Sequence, residues 1–365
     1  MATTDMQGVA EALEAGLTLP ASWYGADEVI YRQELERIFA RSWQYVARAD
    51  QVAEPGSFVA TRAGHVPIVI VRHQDGDLRG FVNVCRHRGH LVAQGQGRRE
   101  SLQCPYHAWT YALDGCLRAA PRSDREPGFD FDRYSLLPVS VDSFGPFVFA
   151  NPDPEAAPLA DVLGALPTHL AESGVDLENL RLRERKEWET EVNWKVGIEN
   201  YLECYHCPVA HPSFSKLIDV DPDAYLLRAD GLLSSQFGPL REGSNDAKRP
   251  YEPDGDVRRA QYHFLWPNLT INIEPGPPNL SIDRWIPLGS HRVGGTTDYF
   301  FGEGVPEEKA REIMDFGAQV AEEDWALVQS VQLGLDSGMV PNGRLLPESE
   351  QLIQHFQWLV YESLA

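Results

Sequence analysis

The feature that most restricts what this chain can fold into is a pair of short segments, CRH beginning at Cys85 and CPYH beginning at Cys104. Each supplies one thiol and one imidazole, and each follows a strand-like run, GFVNV and SLQ respectively. Two loops at the ends of hairpins can present these cysteines, together with His87 and His107, to one metal centre. The surrounding segment is therefore predicted to be a small β-rich unit that holds two loops in fixed positions.

Two kinds of metal centre use two cysteines and two histidines. One is a structural zinc site, but zinc modules usually leave two to four residues between paired ligands, whereas CRH leaves only one. The C-x-H and C-x2-H spacings instead resemble the Rieske [2Fe–2S] pattern, in which histidines replace two cysteines on one iron. On that pattern Cys85 and Cys104 hold one iron, and His87 and His107 hold the other. Zinc remains the alternative.

Four residues near these segments are assigned no part in the chemistry. His90 and Cys116 have no partner left at ligand spacing, so a loop histidine and a core thiol are predicted. Trp109 and Tyr111 follow the second loop and are predicted to pack beneath the metal centre.

The charge balance limits the possible partners. The 365 residues include 54 acidic and 32 basic side chains, a net charge of −22, which argues against binding to nucleic acid or an anionic membrane. No apolar run is long enough to span a bilayer, and the first residues lack the features of a signal peptide. A cytoplasmic protein is predicted. Its 5 cysteines are expected to be core thiols or metal ligands rather than disulfides.

Hydrophobic periodicity divides the chain into three parts. Apolar residues at helical spacing predict a helix over 25–46, and the runs that follow read as short strands separated by Asp-Gly turns. The predicted fold class is α+β, with a helical segment over 1–45, an all-β domain over 46–155 and a larger domain over 156–365. In the larger domain the predicted strands are 180–194, 224–237, 260–274, 279–286 and 293–302, and the predicted helices are 194–207, 306–336 and a last one at the C-terminus.

A second candidate metal site begins in ENYLECYHCPVAH, which ends at His211. Pro208 cannot lie deep in a helix, so the helix from 194 is predicted to end near Cys207. His206 then lies in its last turn and His211 on the bend beyond it. Two imidazoles on such an elbow can bind one metal, although either histidine alone is more typical of a protein core.

A non-haem iron centre with two histidines needs a carboxylate as third ligand. The predicted helix over 306–336 has an apolar stripe with Asp324 at its centre, whereas Glu322 points to the opposite side and Glu323 towards the edge. A carboxylate on a buried face is costly unless it is paired or bound to metal. Asp324 is therefore the predicted third ligand. A salt-bridged aspartate is the alternative, although no Lys or Arg lies in the neighbouring turns of the stripe.

Two segments resemble one enzyme family. NWKVGIENYLECYHCPVAH (193–211) resembles the N-W-K-x4-N/E-x3-D/E-x2-H-x4-H signature of the catalytic α-subunits of Rieske-type non-haem iron oxygenases. EDWALVQSVQLGL (323–335) resembles the stretch that carries their iron-binding aspartate. The resemblance implies an N-terminal Rieske domain and a C-terminal helix-grip (START-like) domain, which holds mononuclear Fe(II) through His206, His211 and Asp324.

The resemblance also implies partners. Family members place an acidic residue three positions before the first histidine, where it bridges a Rieske histidine of one subunit to an iron-ligand histidine of its neighbour. Here it implies that Glu203 links His107 to His206 within a head-to-tail homotrimer. Many members have Asp there, and the longer Glu resembles the quaternary-amine-oxidising branch. Because no GxGxxG opens a helix, electrons from NAD(P)H are expected through a separate flavin reductase or ferredoxin.

Two classes of small-molecule substrate are compatible with the sequence. Hydroxylation or oxidative demethylation of a quaternary ammonium compound is favoured by Glu203, by the acidic charge, and by aromatic residues near the predicted iron that can surround a cation: Tyr205, Phe264, Trp266 and Trp285. Ring hydroxylation or O-demethylation of an aromatic compound is the alternative. More distant alternatives are a Rieske electron carrier, which would not need the C-terminal domain, and a non-enzymatic zinc protein.

Overall fold

In a computed structural model of the protein, residues 6–241 and 250–365 are described. They form two compact units. One comprises Phe39–Asp161, and the other comprises the described residues before Phe39 together with Val162–Ala365.

The first half of the chain is dominated by strands. Its elements are α1 (Met6–Glu14), α2 (Glu28–Gln33) with a π-helical turn over Glu34–Phe39, β1 (Gln44–Arg48), β2 (Ser57–Ala63), β3 (Val66–Arg72), β4 (Leu78–Val82), β5 (Gln96–Arg98), β6 (Ser101–Gln103), β7 (Thr110–Ala112), β8 (Leu117–Ala119), β9 (Pro138–Phe144), β10 (Phe147–Asn151), α3 (Leu159–Leu163) and α4 (Leu166–Ala171).

The second half alternates strands and helices. Its elements are β11 (Leu180–Thr190), α5 (Trp194–Tyr201), α6 (Cys207–Ala210), α7 (Pro212–Leu217), β12 (Leu226–Asp230), β13 (Leu233–Pro239), β14 (Arg259–Leu265), β15 (Leu269–Ile273), β16 (Asn279–Gly289), β17 (Arg292–Gly302), α8 (Glu307–Asp336) and α9 (Gln351–Leu364).

The unit over Phe39–Asp161 is built on antiparallel strands. One sheet has the order β1-β10-β9-β4-β3-β2-β5, and a second consists of β6, β7 and β8. The middle of β3 is a continuous apolar run because both of its faces are covered. Val69 and Val71 belong to one buried cluster, and Ile68 and Ile70 belong to another.

The other unit contains a seven-stranded antiparallel sheet of order β11-β17-β16-β15-β14-β13-β12. Exposure alternates along β11, as it does in a strand with one solvated face. Helix α5 packs closely on β16 at Gly197, where a Cβ atom would lie 2.4 Å from the ring of Trp285. Glycine at this position therefore sets how near α5 comes to the sheet.

A buried ion pair connects the N-terminal segment to the rest of this unit. The carboxylate of Glu34 accepts a hydrogen bond from the indole N–H of Trp194 at 2.9 Å and another from the ammonium of Lys195. The Glu34 and Lys195 side chains are fully buried. Breaking such a pair leaves an uncompensated buried charge, so this contact fixes the segment strongly.

Some predicted elements have different limits. The helix predicted over 25–46 ends at Phe39, because strand β1 begins shortly afterwards. The strand predicted over 224–237 is a hairpin of β12 and β13 that turns at Gly231, whose φ is +57°. The strand predicted over 260–274 is likewise two strands, β14 and β15.

The α+β class is confirmed by the two antiparallel β units and the long helices, and the predicted helix over 306–336 is confirmed as α8. No helix in the described ranges combines the length and the apolar character needed to cross a membrane.

Candidate metal centres and substrate cavity

His206 and His211 lie at breaks between short helices. Helix α5 ends at Tyr201, earlier than predicted. Helices α6 and α7 each have a proline in their first turn, Pro208 and Pro212, where the missing N–H is not needed. The prediction that His206 lies in the last turn of a long helix is wrong. His206 instead precedes α6, and His211 joins α6 to α7.

The two imidazoles meet a carboxylate from α8. The Nε2 atoms of His206 and His211 are 3.1 Å apart, and Oδ1 of Asp324 lies 2.9 Å from Nε2 of His211 and 3.6 Å from Nε2 of His206. Ligand atoms of the three residues all lie within 4.8 Å of one another. Within residues 6–241 and 250–365, this is the only group of three or more His, Cys, Asp or Glu side chains that converges in this way.

A carboxylate also engages the outer nitrogen of each imidazole. Nδ1 of His206 contacts Glu203, whose carboxylate also accepts the backbone N–H of His206 at 3.1 Å. Nδ1 of His211 lies 2.7 Å from Oε2 of Glu323. Such contacts orient a metal-binding imidazole and increase its basicity, and here they leave both Nε2 atoms directed at the same point.

The donor set fits a divalent iron. Burial lowers the pKa of His211, but the neighbouring Asp324 and Glu323 carboxylates outweigh it, so the pKa is raised. A cation at this point is therefore electrostatically favoured, and a bound metal would replace the proton on Nε2. Asn200 donates to Oδ1 of Asp324 at 2.8 Å and holds that carboxylate in place. Two imidazole nitrogens and one carboxylate oxygen are the ligands of the non-haem iron facial triad.

The apolar stripe on α8, from which Asp324 was predicted as a ligand, is only partly buried. Leu327 and Val331, which belong to the predicted apolar stripe, are 38 % and 51 % exposed, whereas Gln332 is buried. The Asp324 side chain is itself 24 % exposed. Glu322, predicted to point away, is among the residues that line the adjacent cavity. The predicted stripe does not coincide with the buried face of α8, because the helix surface at Leu327 and Val331 is open to solvent.

The four predicted cluster ligands lie on two loops of the β unit. Cys85 and Cys104 are buried, and the rings of His87 and His107 are 4.6 Å apart. Burial raises the pKa of the Cys104 thiol, while backbone N–H groups of the loop hydrogen-bond to it and oppose this. Burial, followed by the charge of His87, lowers the pKa of His107. A neutral imidazole and a sulfur held by amide donors suit a Rieske cluster.

The residues beside the cluster loops behave largely as predicted. Tyr111 is fully buried and Trp109 nearly so, and the Trp109 ring stacks on His87 with centroids 4.9 Å apart. Tyr111 does more than pack, because its hydroxyl lies 3.3 Å from Sγ of Cys85. Cys116 is only half-buried, so the core-thiol prediction is wrong in degree.

Cys204 and Cys207 form a disulfide, contrary to the expectation of free thiols. The tight turn between α5 and α6 brings their Cα atoms to 4.9 Å, within the distance that a disulfide spans. Neither sulfur belongs to the group of converging ligands around His206.

A cavity of about 470 Å³ adjoins the His206, His211 and Asp324 group. Strands β11 and β14 to β17 form much of its wall, and α8 covers one side. Its aromatic lining residues include Trp188, Tyr201, Tyr225, Tyr251, Tyr262, Trp285, Tyr299 and Trp325.

Two partly buried carboxylates face this cavity, and neither is ion-paired with a described residue. Glu274 accepts hydrogen bonds from Tyr251 and Tyr262, and burial raises its pKa to about 7. Asp283 accepts from Thr297 at 2.5 Å, with Thr270 and Asn272 as further donors, and burial also raises its pKa. When such carboxylates are ionised, neutral donors do not compensate their charge, and a cationic ligand is favoured beside them.

Of the aromatic residues predicted to surround a cation, only Trp285 lines the cavity. Tyr205 is 61 % exposed, whereas Phe264 and Trp266 are buried and pack on Phe356 of α9. Sequence reasoning also missed Glu323, Asn200 and the two cavity carboxylates. The alternation of β16 was the available signal for Asp283, since it places that residue on the same face as Ser281 and Trp285.

Comparison with known proteins bears on these two centres together. Residues 177–365 match the ring hydroxylating alpha subunit (catalytic domain) family, and residues 42–141 match the Rieske [2Fe-2S] domain family. The chain belongs to the Rieske-type ring-hydroxylating oxygenases. The predicted family and the prediction of an oxygenase are confirmed, and a Rieske cluster and iron are the cofactors that these two domains imply.

Individual relatives cover nearly the whole of this oxygenase. The carnitine monooxygenase oxygenase subunit of Escherichia coli (strain K12) is 35 % identical, over 94 % of this chain and 92 % of that protein. The chloroplastic choline monooxygenase of Beta vulgaris is 31 % identical, over 96 % of this chain and 78 % of that protein.

Solved structures of other oxygenases are also similar to this chain. The quaternary ammonium Rieske monooxygenase CntA in complex with L-carnitine is 31 % identical with a TM-score of 0.81, over 96 % of both chains. Naphthalene 1,2-dioxygenase from Rhodococcus sp., with a TM-score of 0.77 but 20 % identity, shares the fold.

Proposed function

We propose that this oxygenase is the terminal component of a quaternary ammonium monooxygenase. In the overall reaction, one oxygen atom of O₂ enters a C–H bond of the substrate and the other leaves as water. Two electrons and two protons come from outside the chain. The proposal rests on one observation above all, the pair of carboxylates without an ion-pair partner among the described residues, Glu274 and Asp283, in an aromatic-lined cavity beside the candidate iron site.

These carboxylates favour a cationic substrate. A quaternary ammonium group has no N–H to donate, so it is recognised by charge and by aromatic faces such as those of Tyr251, Tyr262 and Trp285. A neutral aromatic ring would leave both carboxylates uncompensated, so ring hydroxylation is not favoured. Relatives that oxidise carnitine and choline support the same substrate class.

Each candidate metal ligand has a proposed role. Cys85, His87, Cys104 and His107 would hold the [2Fe–2S] cluster, and His206, His211 and Asp324 would hold the iron. When bound, the cluster supplies electrons one at a time and the iron supplies the redox centre for O₂ reduction. The chain itself orients the ligands: Glu203 and Glu323 fix the imidazoles, and Asn200 fixes the carboxylate of Asp324.

The partners follow from the same proposal. Residues 46–155 would form the electron-carrying domain and residues 156–365 the oxygenating domain, working in the cytoplasm. Electrons from NAD(P)H would arrive through a separate flavin reductase or ferredoxin. Glu203 would connect His206 to His107 of a neighbouring copy in a homotrimer. A CntA structure for which inter-subunit electron transfer is described supports this arrangement.

The deciding experiment is substrate-dependent O₂ consumption with a surrogate reductase and NAD(P)H. L-carnitine, gamma-butyrobetaine and choline are the cationic substrates to test, with naphthalene and benzoate as aromatic controls. We expect uptake with at least one cation and none with the aromatic compounds. Uptake that depends only on an aromatic compound would overturn the proposal. Anaerobically purified protein, once reduced with dithionite, must also show a Rieske-type EPR signal.

A further inference from the structure

Lys186 stands out among the side chains that line the substrate cavity. The described lining contains the acidic residues Glu187, Glu203, Glu274, Asp283, Glu322 and Asp324, and Lys186 is its only lysine or arginine. A single ammonium group in so acidic a cavity requires a reason.

The strand register places Lys186 on the same face of the sheet as Asp283. Lys186 of β11 pairs with Thr297 of β17, and Thr297 pairs with Asp283 of β16. Directly opposed residues of antiparallel strands point to the same face, so the three side chains form one row across the cavity wall. Two strand spacings separate the Cα atoms of Lys186 and Asp283, a distance of about 10 Å. The row therefore has a basic end and an acidic end.

The Lys186 side chain is 36 % exposed, and its ammonium makes a long ion pair and a cation–π contact at the cavity. Nζ lies 5.3 Å from the centre of the Tyr299 ring, which also lines the cavity. Its nearest carboxylate oxygen among the described residues is Oε1 of Glu184, at 3.7 Å. The other oxygen of Glu184 already accepts a hydrogen bond from Arg311 at 2.9 Å. At 3.7 Å the ion pair with Glu184 is longer than a hydrogen bond, and an ammonium has three donors, so Lys186 can also bind an anionic group that enters the cavity.

We propose that Lys186 binds a carboxylate at one end of the substrate while Asp283 and Glu274 face its quaternary ammonium group at the other. This inference rests on the proposed function and narrows it. The preferred substrates are zwitterions in which a short aliphatic spacer joins the two charges, and cations without a carboxylate are poorer substrates. Apart from Lys186, every Asp, Glu, Lys or Arg side chain of the described lining is acidic, so we expect this residue to determine specificity for a carboxylate.

The test compares substrates across variants of one position. Lys186→Met removes the ammonium but keeps an unbranched side chain, and Lys186→Arg restores a cation. Lys216→Met is the matched control, because Lys216 is exposed on α7, does not line the cavity, and loses the same charge. Steady-state O₂ uptake is measured with L-carnitine, gamma-butyrobetaine and choline. Binding of L-carnitine to the reduced, anaerobic holoenzyme is measured by calorimetry.

We expect Lys186→Met to raise KM and Kd for the two carboxylate-bearing substrates by at least about tenfold, the loss typical of a hydrogen bond to a charged group. KM for choline and the cluster spectrum should be unchanged, Lys186→Arg should recover most of the affinity, and Lys216→Met should resemble the wild type. Equal changes for choline and L-carnitine, or no change for either, would overturn the role of Lys186. If the wild-type enzyme consumes O₂ with none of the three cations, the proposed function itself fails.

Discussion

At the scale of single residues, the candidate iron site is built by carboxylates that bracket two histidines. Oδ1 of Asp324 forms a triangle with the Nε2 atoms of His206 and His211, while Glu203 and Glu323 engage the opposite nitrogens. Glu323 and Asp324 are adjacent in α8, so one helical turn supplies both an inner ligand and an outer support.

The first prediction concerns the inner ligand. Asp324→Ala should abolish turnover and remove the mononuclear iron, because two imidazoles alone are a weak site for Fe(II). The cluster should be unaffected, since its ligands lie in the other unit. Iron per chain is measured by elemental analysis and the cluster by visible absorption. Glu322→Ala is the control and should keep both metals. Full iron content in the Asp324 variant would remove this residue from the ligand set.

The second prediction concerns pH. Burial raises the pKa of Glu274 to about 7, above the ordinary value, so the carboxyl group takes up a proton as pH falls through about 7. Loss of that charge weakens attraction for an ammonium group. KM for choline should therefore rise as pH falls from about 8 to about 6, by roughly tenfold if the charge contributes the equivalent of one pKa unit.

A Glu274→Gln variant isolates this effect from other titrations. Its KM should be high throughout and should lose most of the pH dependence. Glu187→Gln, which alters an exposed residue of the same lining, should behave as the wild type. A pH profile that is the same in the Glu274 variant and the wild type would show that this carboxylate does not face the cation.

At the scale of secondary-structure elements, the site depends on how closely α5 approaches the sheet. Asn193 caps α5 by accepting the backbone N–H of Lys195 at 3.1 Å, which fixes where the helix begins. Gly197 then allows α5 to lie against Trp285. Asn200, one turn later, reaches Asp324 of α8, so the position of α5 is passed directly to a predicted iron ligand.

Gly197→Ala tests this contact. The new methyl group would lie 2.4 Å from the Trp285 ring, so α5 must shift, at a cost of about 1–3 kcal/mol in the free energy of unfolding. Iron content should fall as Asn200 moves. Gly334→Ala in α8 is the control. Apart from its chain neighbours and the backbone of α8 itself, no atom of the described residues lies within 4 Å of its added Cβ, so it should be neutral or slightly stabilising. Thermal unfolding and iron analysis measure both. Equal stability of the two variants would contradict the packing argument.

At the scale of the whole molecule, the proposed electron path runs between copies of the chain. Within one chain, the position of Glu203 supports this path, because its carboxylate contacts His206 and is about one-tenth exposed. Tyr205 and Val209, beside it in sequence, are well exposed apolar residues, as expected where another surface would cover them.

Mixed assemblies test that path. A His107→Ala chain keeps its iron site but loses a cluster ligand, and an Asp324→Ala chain does the reverse. Each alone should be inactive, whereas the two co-expressed and purified through different tags should recover part of the activity. The particle mass should be about three times the 40.9 kDa of one chain. Inactive mixed assemblies of the correct mass would show that electrons do not cross between copies.

The ligand types were predictable because their chemistry restricts local spacing. Cys85, His87, Cys104 and His107 stand at fixed offsets in short loops, and the long α8 was evident from its periodicity. Element limits were less predictable where a local signal competes with tertiary packing. The hairpin at Gly231 is a different case, because Asp230-Gly231 is itself a hairpin turn signal that the prediction of one strand over 224–237 passed over.

What the sequence determined by itself was the set of chemically capable residues, because coordination chemistry needs particular atoms at particular offsets. What only the tertiary structure decided was how distant residues meet. Asp283 and Glu274 look like ordinary strand and loop residues until the register of β15 to β17 and the burial of the sheet place them in one cavity. The proposed role of Lys186 likewise depends on the register of β11, β17 and β16, which places this residue in one row with Asp283. Burial and strand register are properties of the whole fold, and they convert common side chains into a binding site.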